Sequence, residues 1–183
     1  MLADDFEFLI GDKVIIKKFD ESFITNEYVG WLNDPTVMMF SNQRFIEHTL
    51  SSCKHYLSSF KGTNNLFLAI VSKDTGKLLG SVNSYISLHH GLADIGIMIG
   101  NKSQWGKGTG LDAWLTLMDY LFAKCHIRKI TGGTPQANVA MVKIMEKSGM
   151  TLEATRPKHH IIDGEPQDIL YFAKYNQNEL NLY

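Results

Sequence analysis

The sequence predicts a mixed α/β sheet, and three stretches carry that prediction. "LFLAIV" (66–71) and "LLGSVNSYI" (78–86) are apolar runs joined by the turn chemistry of "KDTG" (73–76), which is a hairpin pattern. "ADIGIMIG" (93–100) reads as a further strand. It runs into a segment where Leu111, Trp114, Leu115, Met118, Leu121 and Phe122 mark one face of a long amphipathic helix. Asp163-Gly164 offers a tight turn between two last strands, about 151–162 and 167–175.

The other elements follow in chain order. "VIIKKF" (14–19) is predicted as the first strand. Thr25 suits the N-cap of a helix through Tyr28, Trp31 and Leu32, and Pro35 forbids its continuation. Leu50, Cys53, Leu57 and Phe60 recur at helical spacing and predict a second helix. "RKITGG" (128–133) reads as a short strand, and Asn138 to Ser148 as a helix closed by Gly149. The order is strand, two helices, three strands, helix, strand, helix, strand, strand. With no repeat, low-complexity tract or linker, residues 1–183 are expected to form one domain.

Composition narrows the function classes. A chain of 183 residues, 44% hydrophobic and 20% charged, has ordinary globular make-up and enough length for one sizeable core. A net charge of -1 and the lack of a long basic run argue against a nucleic-acid face. Cys53 and Cys125 are too few and too far apart for a disulfide framework or a metal site. No apolar run approaches membrane-spanning length, and "MLADDFEFLI" is too acidic for a signal peptide. The expectation is a reduced cytoplasmic protein, with no membrane, nucleic-acid or metal partner.

"SQWGKGTG" (103–110) places three glycines at alternate positions between a strand and a helix. Such a loop bares backbone N–H groups at a helix N-terminus, where orphan donors and the helix dipole favour a phosphate. It is not the G-x-x-x-x-G-K-[ST] loop, because no Gly-Lys pair is followed by Ser or Thr. Nor is it a dinucleotide fingerprint, because it reads G-x-G-x-G and follows several antiparallel-looking strands.

"IGIMIGNKSQWGKGTGLDAWLTLMDYLF" (95–122), followed by "NVAMVKIMEKSGM" (138–150), resembles the GNAT acetyltransferase superfamily, in its RimJ/RimL-like branch of ribosomal-protein N-acetyltransferases. The superfamily's Q/R-x-x-G-x-G/A signature falls on Trp105, Gly108 and Gly110, with Trp105 in place of Gln or Arg. Its second motif falls on Asn138, Glu146, Lys147 and Gly149, with Met141 and Met150 in place of Ala and Phe. The likeness extends from "YVGWLNDP" (28–35) to "DILYFAKY" (168–175). It implies a mostly antiparallel sheet flanked by helices, with acetyl-coenzyme A at a splayed strand pair. It also implies that Trp105, Gly106, Lys107, Gly108, Thr109 and Gly110 take the pyrophosphate, that Ile97, Met98 and Ile99 lend backbone groups to pantetheine, and that Asn138 holds its arm. Lys102, Lys143 and Lys147 are more simply solvated lysines. Relatives of this kind form dimers, so a homodimer is compatible with the resemblance.

Acetyl transfer to an amine needs a neutral nucleophile, a place for the developing oxyanion and a proton for the leaving thiolate. The superfamily's frequent Tyr proton donor is replaced here by Met145, and a Glu base found in some members is replaced by Gly133. Asp94 is the candidate base that remains, beside the alternative that it is a solvated strand-end acid. His89 and His90 belong to the residue type that exchanges protons near neutral pH, but they also read as exposed turn residues. Trp31 reads as core. Asn33, near the end of the first helix, is either an acceptor contact or helix-stop chemistry. Tyr85 points toward the cleft or into the core. The reading is an acetyl-CoA-dependent N-acetyltransferase acting by direct attack on an amine of low pKa, a protein N-terminus or an amino sugar. The alternative is a module that binds the coenzyme without turnover.

Overall fold

The computed structural model describes residues 6–176, so both ends of the expected 1–183 domain lie outside the described residues. Eight strands form one sheet in the order β1-β2-β3-β4-β5-β6-β8-β7. They are β1 (Phe8–Ile10), β2 (Val14–Lys18), β3 (Leu66–Ser72), β4 (Leu78–Ser87), β5 (Leu92–Ile99), β6 (Lys129–Pro135), β7 (Thr151–Ile162) and β8 (Glu165–Tyr175). Every neighbouring pair is antiparallel except β5 with β6. The sheet is therefore mixed and mostly antiparallel. Strand β1 was absent from the sequence prediction: three residues carry no periodicity, and pairing with β2 is what makes them a strand.

Four helices cover the sheet. α1 (Asn26–Leu32) begins where the Thr25 hydroxyl accepts from the Tyr28 N–H at 3.2 Å. α2 (Leu50–Ser58) begins with a capping box in which Thr49 and Ser52 exchange side-chain and backbone bonds. It stops two residues short of Phe60, whose ring stacks on Phe67 of β3 instead of continuing the helix. α3 (Thr109–Ala123) buries Trp114, Met118 and Leu121 of the predicted face together with Ala113 and Leu117, while Leu111, Leu115 and Phe122 are half-buried. α4 (Val139–Lys147) is capped by Asn138 and followed by Gly149 at φ +77°. That left-handed conformation suits glycine after a helix end.

Two cores result. Val14, Ile16, Leu68, Ile70, Val82 and Ile95 pack with α3 and with Met145 of α4 on one face. Phe19, Phe67 and Ala69 pack with Tyr28 of α1 and Cys53 of α2 on the other. Alternating residues of the same strands supply both faces, so the sheet is the middle layer of three. Cys53 and Cys125 are both free and buried. Among the described residues, no helix is long and apolar enough to cross a membrane.

Candidate active site

β5 and β6 are paired only where Leu92–Asp94 meets Lys129–Thr131. Beyond Asp94, β5 stays with β4 as far as Ile99, and β6 stays with β8 as far as Pro135. The two strands therefore part, leaving a wedge with an open strand edge. Gly91 C=O accepts from the Lys129 N–H of β6 at 3.1 Å, while Gly100 N–H donates to Leu79 C=O beside β4 at 3.0 Å. Peptide groups alternate along a strand, so those of residues 95, 97 and 99 face the wedge and those of 96 and 98 face β4. The Trp105 indole N–H takes the Ile99 carbonyl at 2.8 Å. Among the described residues, both peptide groups of Ile97 and the Ile99 N–H thus remain open to an extended ligand. Met98 corrects the expectation drawn for it: its peptide groups are turned to β4, and its side chain joins the core under α1 and α2.

The glycine loop closes the wide end of the wedge. Gly106 (φ +73°) and Gly108 (φ +83°) take left-handed conformations, and Gly108 is the N-cap of α3. Among the described residues no hydrogen-bond acceptor engages the N–H of Gly106, Gly108, Thr109 or Gly110. Gly110 has a different reason from its neighbours. A Cβ there would press on Ile144 Cδ1 at 3.1 Å and Ile99 Cγ1 at 3.6 Å, so its smallness serves packing beneath the loop. Lys107 is exposed, and Thr109 is buried with its hydroxyl on Gln104 Oε1 at 3.2 Å. Lys102 is held away by an ion pair with Asp34 at 2.5 Å, which also keeps the Asp34 carboxyl below the usual range. Asn138 spends its Oδ1 on the Met141 N–H at 3.3 Å and keeps its amide NH₂.

On the α1/α2 face, a cleft of about 480 Å³ opens beside the wedge, with Gly96, Ile97 and Met98 on its floor. Among the described residues no Asp, Glu, Lys or Arg lines it. Its polar centre is Tyr56, Tyr85 and Asn83: the two phenol oxygens are 3.0 Å apart, and Asn83 Nδ2 donates to Tyr56 at 3.2 Å. Burial pushes the Tyr56 phenol well above its ordinary pKa, so it remains a hydroxyl donor. Tyr85 is thus a cleft residue, 46% exposed. Tyr56 and Asn83 were missed in the sequence. The alternation of Ser81, Asn83 and Tyr85 along β4 was the available signal for a polar strand face. Cys53 also lines the cleft, but burial raises its thiol pKa and leaves it a poor nucleophile.

Asn33 and His89 do not reach this cleft. The Asn33 amide is consumed on both sides by the backbone of His48, at 2.8 Å each way, which ties the cleft wall at His48 to the end of α1. His89 is exposed in the short 3-10 turn between β4 and β5. Trp31 packs in the second core, and a Cβ at Gly100 would overlap its indole.

Asp94 stands at the fork of the wedge, opposite Tyr85 on β4 and Thr131 on β6. Thr131 Oγ1 donates to its carboxylate at 2.6 Å. Desolvation raises its carboxyl pKa, with the Thr131 bond opposing that rise. A carboxylate of raised basicity at the mouth of an open strand edge is placed to accept a proton. The two vacant positions have physical fillings. Met145 is 1% exposed in the main core, and the Tyr171 ring covers Gly133, where a Cβ would sit 3.0 Å from Tyr171 Cε1.

Residues 14–151 match the family model described as an acetyltransferase (GNAT) domain. An uncharacterized N-acetyltransferase p20 of Bacillus licheniformis is 28% identical over 111 residues, 57% of this chain and 61% of that protein. The match to that relative thus spans less than two thirds of its length. An N-acetyltransferase 9-like protein of Nematostella vectensis is 24% identical over 158 residues, 78% of this chain and 77% of that protein. Among solved structures, RimL, a ribosomal L7/L12 alpha-N-protein acetyltransferase in complex with coenzyme A, superposes with a TM-score of 0.81 at 15% identity, covering 92% of this chain and 98% of that one. A spermidine N-acetyltransferase from Vibrio cholerae in complex with CoA and spermine gives 0.80 at 18% identity, covering 92% and 99%. The family match covers the wedge, the glycine loop and α4 together, and the chain belongs to the GNAT acetyltransferase family.

Proposed function

We propose that the chain transfers the acetyl group of acetyl-coenzyme A to one primary amine of low pKa, by direct attack. The observation that carries this reading is the continuity of the wedge with the cleft. Ile97 borders both, Gly96 lies beside it on the cleft floor, and Asp94 marks the fork on the cleft's face. Pantetheine laid along Ile97 as an added strand would bring its thioester toward that fork, with the pyrophosphate on the loop N–H groups and Asn138 Nδ2 beside the arm. Asp94 then receives the proton of the attacking ammonium. The amine nitrogen forms its bond to the acetyl carbon, the carbon–sulfur bond breaks, and the coenzyme leaves as a thiolate that takes up a proton. No step uses an acetyl-cysteine.

The lining of the cleft bears on the acceptor. A polyamine carries further ammonium groups, and burying them unpaired costs several kcal/mol each, on the order expected for desolvated ions. Among the described residues the cleft lining has no carboxylate and Asp94 at the fork is a single acid, which favours an acceptor with one amine and neutral surroundings, as at a peptide N-terminus or an amino sugar. The filled slots at Met145 and Gly133 favour a second reading, a coenzyme-binding module without turnover. Coenzyme titration together with free-thiol release across a panel of amines separates the two. Transfer predicts thiol release that depends on the amine, with an N-acetyl product. Tight coenzyme binding with no thiol from any amine supports the module.

A further inference from the structure

Lys13 brings an ammonium group to the glycine loop. It lies in the β1–β2 turn, far along the chain from the glycine loop, and the turn is pinned to the first turn of α3. The Asp112 carboxylate accepts from the N–H groups of Asp12 (3.0 Å), Lys13 (2.8 Å) and Val14 (3.0 Å). A Cβ at Gly11 would meet Asp112 Oδ2 at 2.6 Å and Thr116 Oγ1 at 2.7 Å, so the turn sits as close to the helix as a glycine allows. Lys73 Nζ adds a bond to Gly11 C=O at 3.0 Å.

This anchoring delivers the Lys13 ammonium to the loop. Its Nζ donates to the Lys107 carbonyl at 2.6 Å and lies 3.6 Å from where a Cβ at Gly108 would be. An ammonium has three donors, and one is spent on Lys107. Asp112, an acid in the first turn of the very helix that faces the phosphates, would oppose an anion there. Its oxygens are instead occupied by three backbone N–H groups, and the ammonium stands on the loop side. Lys13, Lys77 and Lys107 share a depression of about 510 Å³ with Asp12 and Asp74, giving three cations against two anions.

We infer that Lys13, set in place by Asp112, binds the pyrophosphate of the coenzyme together with the bare N–H groups of Gly106, Gly108, Thr109 and Gly110. The inference rests on the coenzyme reading above. It sets a fixed point charge beside the neutral backbone donors of the loop, and charge-assisted bonds are about twice as strong as neutral ones.

Calorimetric titration of the full chain with CoA, dephospho-CoA and pantetheine, at low and high salt, tests it. Lys13→Met should weaken CoA and dephospho-CoA alike, roughly tenfold, the size of one lost charge-assisted bond. Pantetheine, which lacks the phosphates, should bind as before. Lys13→Arg should keep most of the affinity, and Lys13→Met should flatten the salt dependence, because surface charge contacts are screened. Unchanged CoA affinity in Lys13→Met would overturn the assignment. So would a loss confined to CoA, which would place Lys13 on the 3′-phosphate, or an equal loss for pantetheine, which would make Lys13 a shaper of the loop. A wild-type chain that binds none of the three overturns the coenzyme reading as well.

Discussion

Asp94 is held with its charge partly desolvated, and that sets two opposing expectations for one substitution. Its folded pKa is raised above the unfolded value, so the charged form that predominates at neutral pH is disfavoured by folding, and stability from this group grows as pH falls through the raised pKa. Asp94→Asn removes that penalty and keeps an acceptor for Thr131 Oγ1, so the melting temperature at neutral pH should hold or rise. Turnover should fall roughly 10²–10⁴-fold, the usual reach of a general base. The loss should be greatest at low pH and shrink as pH passes the acceptor's own pKa, near ~7.7–8.0 for an α-amine. A pH–rate profile of the variant beside a thermal melt reads both, and full activity at every pH would make Asp94 structural. Met145 tests the opposite kind of residue. Met145→Tyr restores the superfamily's usual phenol in name only, because the position is sealed in the core. It should cost about 1–3 kcal/mol by overpacking and return no activity; a gain in turnover would show that the phenol reaches the thioester.

The entry of α3 separates glycines that look alike in sequence. Gly108→Ala places a side chain at φ +83°, where L-residues are strained, so coenzyme affinity and stability should drop together. Gly110→Ala keeps ordinary backbone geometry but crowds Ile144, and its effect should appear first in stability. Thermal melts and coenzyme titration of the two variants check the difference. Periodicity and end signals made the helices legible: Thr25 and Gly149 stand where local chemistry requires them, while Asn138, read as the first helical residue, is the N-cap of α4. The long-range contacts were not legible. Lys13 meets Lys107, and Asn33 meets His48, only because the fold brings distant turns together. The alternation of β5 was readable, but which of its two edges lies open depends on where β6 leaves it. That is why Ile97 could be named correctly as a strand residue while the direction of Met98 could not.

At the scale of the molecule, the sheet divides the labour between its two faces. α3 and α4 support the wedge and the loop from one side, and α1 and α2 enclose the cleft on the other. The cleft offers neutral hydroxyl and amide groups, and the one carboxylate at the fork is shared with Thr131. A lysine amine, at pKa ~10.4, costs about 3–4 kcal/mol more to deliver neutral at pH 7 than an α-amine near ~7.7–8.0. Gly133, under the Tyr171 ring, supplies no second acid to cover that gap. The most direct measurement is kcat/KM for four acceptors under saturating acetyl-CoA: a peptide with a free α-amine, its matched peptide with only a lysine amine, an amino-sugar nucleotide and spermidine. The α-amine peptide or the amino sugar should be the fastest of the four. Faster turnover of the lysine peptide or of spermidine than of both would contradict it.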